Sequence, residues 1–494
     1  MRQYSIAHVA ESKARSSRPA RSEGILLVVI LVGIFVGGTG LWWMNQQESA
    51  QEKNARSSED SGVDPAAKAL EAEERADKLD PRWRFTDLQA RRATVPDAKN
   101  GALAVLDAGK TLTIPWSEES LSSDLIKLGS LAPLSTKQVA ALKEALAKNA
   151  PAFREAGRLA ELPTGRYALD FTDGMCGTHL SHLATIGAVH QLLFCDAVKH
   201  IHDGDLDAAL RADRALINSS RSIGDEPTSH SQLIRSSVQL LAAQALERIL
   251  AHGQPSEAAM KETQALFDDE GNQPLLLLAA RALRAGRIEL LALILESKTD
   301  LTRLNQVSDS GERPLAEYVN DFFAKSTAVQ ASTVQLLHAW LVNFLTDFVE
   351  IVKLPQDRQP EKLQELLLSL PTCPKPGRVL VPELPNLVQQ FNVLQTFARC
   401  SAVALALERY RQAKGSWPES LSALTPSYLS AVPVDPFDGK PLRYRQYPEG
   451  VVVYSIGTDG KDNEGKFDSL NTYRDGTDIG IRLWNVDKRL STKR

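Results

Sequence analysis

Five residues with metal-binding or acid–base side chains crowd into 20 positions: Cys176, His179, His182, His190 and Cys195. On a helix, steps of three residues drift by about 60°, so Cys176, His179 and His182 would share one broad face from which thiolate and imidazole could ligate zinc. Their spacing matches no standard zinc pattern, and a Cys176–Cys195 disulfide or plain helix packing accounts for them more simply. Cys373 and Cys400 bring the thiols to four, an even number that permits two bridges. Asp203-Gly204-Asp205-Leu206-Asp207 begins like a calcium loop. However, Ala208 stands where such a loop needs its turning glycine, and Arg214 where it needs its bidentate glutamate. A helix N-cap at Asp205 followed by first-turn acid explains the segment better. The chain carries no nucleophile elbow, phosphate loop, dinucleotide fingerprint or paired-histidine zinc motif. A hydrolase assembled from dispersed residues between 150 and 350 stays an alternative, with His179, His182 and Asp173 the first positions to test.

The elements that would position these groups are mainly helical. Residues 80–385 read as a helical body. Ile234, Val238, Leu241, Ala245 and Ile249 recur at helical steps and Gly253 stops the run. Ser256 caps the next helix, with Glu257 at its positive end. Further helices are expected over Pro274–Ala285, Ile288–Glu296, Leu315–Phe323 and Thr333–Leu354. Short Gly, Pro and Asp turns between helices predict an irregular bundle or an α-solenoid-like stack, with no fixed repeat period. The segment Pro371–Pro385 holds five prolines in 15 residues and marks a boundary.

Toward the N-terminus, Ile25–Met44 runs 20 positions without a charge, about 30 Å of helix and enough to span a bilayer. Basic residues Arg2, Lys13, Arg15, Arg18 and Arg21 precede it, and acids Glu48, Glu52, Glu59 and Asp60 follow. That bias predicts a cytoplasmic tail over 1–24, a transmembrane helix over 25–44 and the bulk of the chain outside. The apolar run is too long for a cleaved signal peptide and lacks a small-residue cleavage site, so an uncleaved single-pass anchor is the reading. Gly33 and Gly37 form a GxxxG that can bring two membrane helices together. Residues 45–79 are polar and read as a linker, with a short helix over 65–78.

After the boundary, a long helix from Leu387 to Lys414 ends at Gly415. Short strands follow, with Leu442–Arg445 and Val451–Ile456 forming a hairpin across Tyr447-Pro448-Glu449-Gly450. A long helix leading into a small antiparallel sheet makes an α+β unit over 386–487, with a tail over 488–494. Its motifs run in order: Ala406-Leu407-Glu408-Arg409-Tyr410-Arg411, Gly415-Ser416-Trp417-Pro418, Pro433-x-Asp435-Pro436-Phe437, Gly439-Lys440-Pro441-Leu442 and Tyr454-Ser455-x-Gly457-x-Asp459-Gly460. In these the unit resembles the C-terminal domain of the major pseudopilin, pseudopilin G, of type II secretion systems. The resemblance implies a calcium loop, with Asp459 and Asp478 at the matching positions. The insert between them brings Asp462, Glu464, Asp468 and Asp475, any of which could replace a ligand; oxygen donors suit a hard cation. It also implies a bacterial inner membrane and a periplasmic ectodomain. The anchor lacks a pilin processing site and an early glutamate, so the unit reads as a borrowed domain.

A net charge of -4 and 6% aromatic residues offer nucleic acid neither a basic face nor a stacking surface. The resulting expectation is a membrane-anchored envelope protein. It would bind a protein or peptide partner as a scaffold, or serve as a component of a type II secretion-like apparatus.

Overall fold

Asp64 accepts a hydrogen bond from the Ala66 amide and so starts the first helix, α1 (Pro65–Leu79), whose proline occupies the first turn. The computed structural model describes residues 64–113, 121–171, 174–296, 331–373, 380–381, 383–467 and 476–490. The expected membrane segment 25–44, Asp173, Asp475 and the expected helix over 315–323 lie outside them. Among the described residues no helix is long and apolar enough to cross a membrane.

Short helices follow: α2 (Phe85–Ala90), α3 (Gly101–Thr111), α4 (Leu121–Ile126), α5 (Thr136–Lys148), α6 (Ala150–Gly157) and α7 (Gly174–Gly177). Longer ones make the body: α8 (His182–Asp203), α9 (Leu206–Arg221), α10 (Ser229–His252), α11 (Glu257–Asn272), α12 (Leu275–Glu296) and α13 (Ala331–Val352). After α14 (Gln359–Leu367), α15 (Leu384–Lys414) leads into strands β1 (Arg443–Tyr447), β2 (Gly450–Ser455) and β3 (Ile479–Trp484). The protein is therefore mainly helical, with one three-stranded antiparallel sheet near the C-terminus, order β1-β2-β3.

Local chemistry explains the joints. Gly204 at φ 81° ends α8, Asp205 caps α9 through the Ala208 amide, and Ser256 caps α11 through the Ala259 amide. The hairpin turns at residues 448–449, with Tyr447 opposite Gly450 and Tyr444 opposite Val453. Instead of the two expected helices over 274–296, α12 is continuous across Gly286. A Cβ there would collide with the Met175 side chain, so Gly286 admits α7 and does not break the helix.

Two large apolar cores meet along α15. The main core joins α3, α6, α8, α9, α10 and α11 to Val393–Leu407 of α15 and to Val451, Val453, Ile481 and Leu483 of the sheet. The second gathers α1, α12, α13 and α14 around Leu384 and Val388 at the start of α15. Residues 65–79, expected in the linker, belong to this second core: Ala72 and Ala76 are buried against it. Asp80, just beyond α1, pairs with Arg281 and Arg284 of α12. Helix α10 packs against α8, α9, α12, α15 and β3, so even Arg235, Gln239 and Arg248 on it are buried. The C-terminal unit is thus sealed onto the helical body. Arg489 donates to the Gly253 carbonyl, and the Leu490 amide to the Ala251 carbonyl.

Candidate functional site

The acidic loop after β2 is the first candidate. Asp459 accepts from the Lys461 and Gly476 amides and from the Asn463 side-chain amide. Asp478 accepts from the Asn463 amide at 3.1 Å and the Gly465 amide at 2.7 Å. Asn463 therefore holds the two carboxylates of the expected calcium pair on one loop, across the 18 residues from 460 to 477. Asp478 is buried, and desolvation drives its carboxyl above the ordinary value despite those amide donors. Desolvation also works on Asp459, but the Lys461 and Gly476 amides bring its carboxyl net below the ordinary range. Asp459 Oδ2 already accepts two N–H groups, whereas Asp459 Oδ1 and the Asp478 carboxylate keep lone pairs to spare, and those remaining oxygens are compatible with a hard cation. Among the described residues no three His, Cys, Asp or Glu side chains converge. Two aspartates would need backbone carbonyls and water to complete a six- to eight-oxygen shell. Asp462 instead accepts from the Glu464 amide and Tyr454 hydroxyl, and lies 3.6 Å from Arg443.

Behind this loop, Asp435 is fully buried and accepts four hydrogen bonds, from the Phe437 and Ile456 amides, the Ser455 hydroxyl and Arg443. This one carboxylate ties the Asp435-Pro436-Phe437 turn to β1 and the end of β2, which explains an aspartate at that position.

The Cys/His crowd disperses. His179 is exposed. His190 is buried with no partner for Nε2 among the described residues, and burial lowers its pKa to about 3. Cys195 and Cys400 are buried, unbridged thiols in different core clusters, so neither belongs to a disulfide. Burial pushes the Cys195 thiol up to about 12, which leaves it protonated and unreactive at neutral pH. Cys373 is buried in the second core. The α7 turn carrying Cys176 is pinned by Glu289, which accepts from the Met175 amide at 2.6 Å.

One residue of the crowd does sit in a polar constellation. His182 at the start of α8 lies 3.0 Å from Glu226 and stacks on Tyr167 at 4.3 Å between ring centroids. Ser231 donates to Glu226, and Thr228 caps α10 through the Ser231 amide. Tyr167 and Ser222 exchange a hydroxyl contact at 2.9 Å. Gly224 (φ 64°) and Gly165 let the two loops cross, because a Cβ on either would meet the other loop's backbone. Burial raises the Tyr167 phenol and lowers the Arg92 guanidinium, which faces Glu226 and Asp225. Nucleophilic catalysis needs a hydroxyl hydrogen-bonded to its base. Here the Ser231 hydroxyl is committed to Glu226, which stands between it and His182. What the cluster does is fasten the 222–231 loop to α8. The sequence offered no route to Glu226 or Ser231, which lie 44 and 49 residues beyond His182.

A third feature is open to solvent. Between α5, α6, α8 and α9 lies a shallow surface depression of about 500 Å³. Phe153 and Leu146 are half-buried within it, while Arg154, Arg158 and Arg211 are exposed and Lys199 stands opposite. No protein family, curated protein or solved structure matches this chain.

Proposed function

We propose that the chain is a membrane-tethered envelope protein that works by binding a partner on a rigid helical scaffold, capped by a pseudopilin-like unit. The observation that carries this reading is the burial of α15. Phe397, Val403 and Leu407 lie in the interior, covered by α10, α11 and the sheet, and Phe391 is buried against Leu275 and Ala279 of α12. A helix so enclosed offers no face for a filament of like subunits, whereas it welds the unit into a fixed surface. The charge-free segment 25–44 supplies the tether, placing the body on the periplasmic side of a bacterial inner membrane. Irregular helix lengths favour a bundle over a regular solenoid.

The test is site-specific photo-crosslinking in cells from positions spread over the ectodomain. A reproducible protein adduct is expected from a contiguous patch; absence of any adduct from every position overturns the reading.

A second reading, a component of a type II secretion-like apparatus, is favoured by the long helix running into a three-stranded antiparallel sheet. Co-purification with secretion-machinery proteins would separate the two. Calcium bound by Asp459 and Asp478 would stiffen the loop beside β3 in either case.

A further inference from the structure

We propose that Glu247 on α10 makes the seating of the 129–132 turn pH-sensitive: acid closes the turn onto α10, and a rise through neutral pH loosens it. The inference goes beyond the binding reading above and stands or falls apart from it.

Between α4 and α5 the chain makes a tight turn in which the Ala132 amide donates to the Gly129 carbonyl at 2.8 Å. Three side chains near the end of α10 hold it. Arg248 donates to the Gly129 and Ala132 carbonyls, His252 Nε2 lies 3.1 Å from the Ser130 carbonyl, and the Ser130 hydroxyl donates to Glu247 at 3.0 Å. Glu247 serves a second element as well. β3 is an edge strand of the sheet, so alternate amides along it point away from β2. α10 packs against that strand, and the Arg482 amide is turned to the Glu247 carboxyl.

What this part-buried carboxylate lacks is a close counter-charge. Among the described residues, Arg482 is the charged group that acts on it, and the Arg482 guanidinium is turned to Glu449 at 3.4 Å and to the rings of Tyr447 and Phe467. α8, α9, α12 and α15 bring no charge to bear on Glu247, and His202 of α8 acts on His252 instead. Desolvation therefore outweighs the Ser130 hydroxyl and the Arg482 amide, and the Glu247 carboxyl is pushed up to about 7. Burial holds His252 down at about 4, so it stays neutral between pH 5.5 and 8. Arg248, lowered to about 10, stays charged there. Of the three α10 groups holding the turn, Glu247 is the one whose charge changes in that window.

Below pH 4.5 the carboxyl is protonated whether the turn is seated or lifted. From there to about 7 it ionises only where water reaches it, in the lifted form, so rising pH draws the turn open. Above 7 both forms are ionised and the effect is complete.

The experiment is hydrogen exchange of the full chain in detergent micelles from pH 5.5 to 8, each rate divided by the intrinsic rate at that pH. Protection of peptides covering residues 127–134 should fall by roughly tenfold or more across the range in the wild type. Glu247→Gln, neutral and of the same shape, should hold the high protection at every pH. Ser130→Ala removes a donor that favours the ionised carboxylate, so it should move the midpoint of the fall to higher pH. A flat wild-type profile, an equal fall in Glu247→Gln (which retains His202), or protection that rises with pH overturns the proposal. If the glutamine variant does not fold, the alanine variant decides, and an unmoved midpoint overturns it.

Discussion

Asp213 shows how a single side chain can work against the fold that encloses it. It is fully buried on α9, neither carboxyl oxygen has a hydrogen-bond partner among the described residues, and burial drives its pKa well above the ordinary 3.8. At pH below 3.8 both folded and unfolded chains hold this proton, and the residue makes no pH-dependent contribution. As pH rises, the unfolded chain ionises while the folded one does not. Stability then falls, by up to about 1.4 kcal/mol per pH unit, until the folded carboxyl also titrates. Asp213→Leu should therefore raise the melting temperature at neutral pH and flatten the pH profile above 4. Urea unfolding of both proteins at several pH values checks this, and parallel profiles would refute it. Asp478 is the opposite case, a buried acid that a ligand could relieve. Calcium at 100 times its Kd should stabilise the wild type by about 2.7 kcal/mol, with Asp478→Asn abolishing the shift. Thermal unfolding with calcium or with chelator reads it directly. The motif put Asp459 and Asp478 in order along the chain, and Asn463 contacts both carboxylates on one loop. Asp213 was not legible, since one acid in an apolar stripe reads as a surface residue until the helices on every side are in place.

At the scale of elements, start and stop signals were the most readable feature. Asp205, Ser256, Gly253 and Gly415 all sit at the helix ends where local chemistry puts them. Burial was much less readable. The stripe Ile234, Val238, Ala245 and Ile249 marks one face of α10, yet the opposite face is also enclosed, with Arg248 spent on the Gly129 and Ala132 carbonyls. Such polar residues look like a solvated face in sequence, and only the tertiary partners reveal otherwise. The same holds for α15, where Glu408 bridges Arg411 on its own helix and Arg489 beyond β3, all three buried. Glu408→Ala would leave two guanidinium groups buried without a counter-charge, a loss of about 3–5 kcal/mol. Replacing the triad together, Glu408→Leu with Arg411→Met and Arg489→Met, should recover most of it. A triple variant as unstable as the single one would show that the hydrogen bonds to the Gly253 and Trp484 carbonyls, not the charge balance, hold this corner.

Across the whole molecule, the proline-rich segment near residue 380 marks a change of composition but not a break in packing. α15 starts in the second core with Leu384 and Val388 and ends in the main one, where the sheet also lies. Cut at the boundary that the composition suggests, a fragment of residues 386–494 would expose Phe397, Val403 and Leu407, which α10 and α11 now cover. It would also strand Arg489 and Leu490, whose acceptors Gly253 and Ala251 belong to the helical body. At about 25 cal/mol per Å² of apolar surface returned to water, and with marginal stability the rule for small domains, such a fragment should not remain a folded monomer. Sedimentation and circular dichroism of the fragment should show aggregation or lost structure, whereas residues 64–494 stay monodisperse. Within that longer protein, hydrogen exchange should protect β2 and β3 to the same level as α10, since they share one core. Sheet amides that exchange much faster than those of α10 would mean that the unit opens by itself, and that the scaffold carries a detachable cap in place of a welded one.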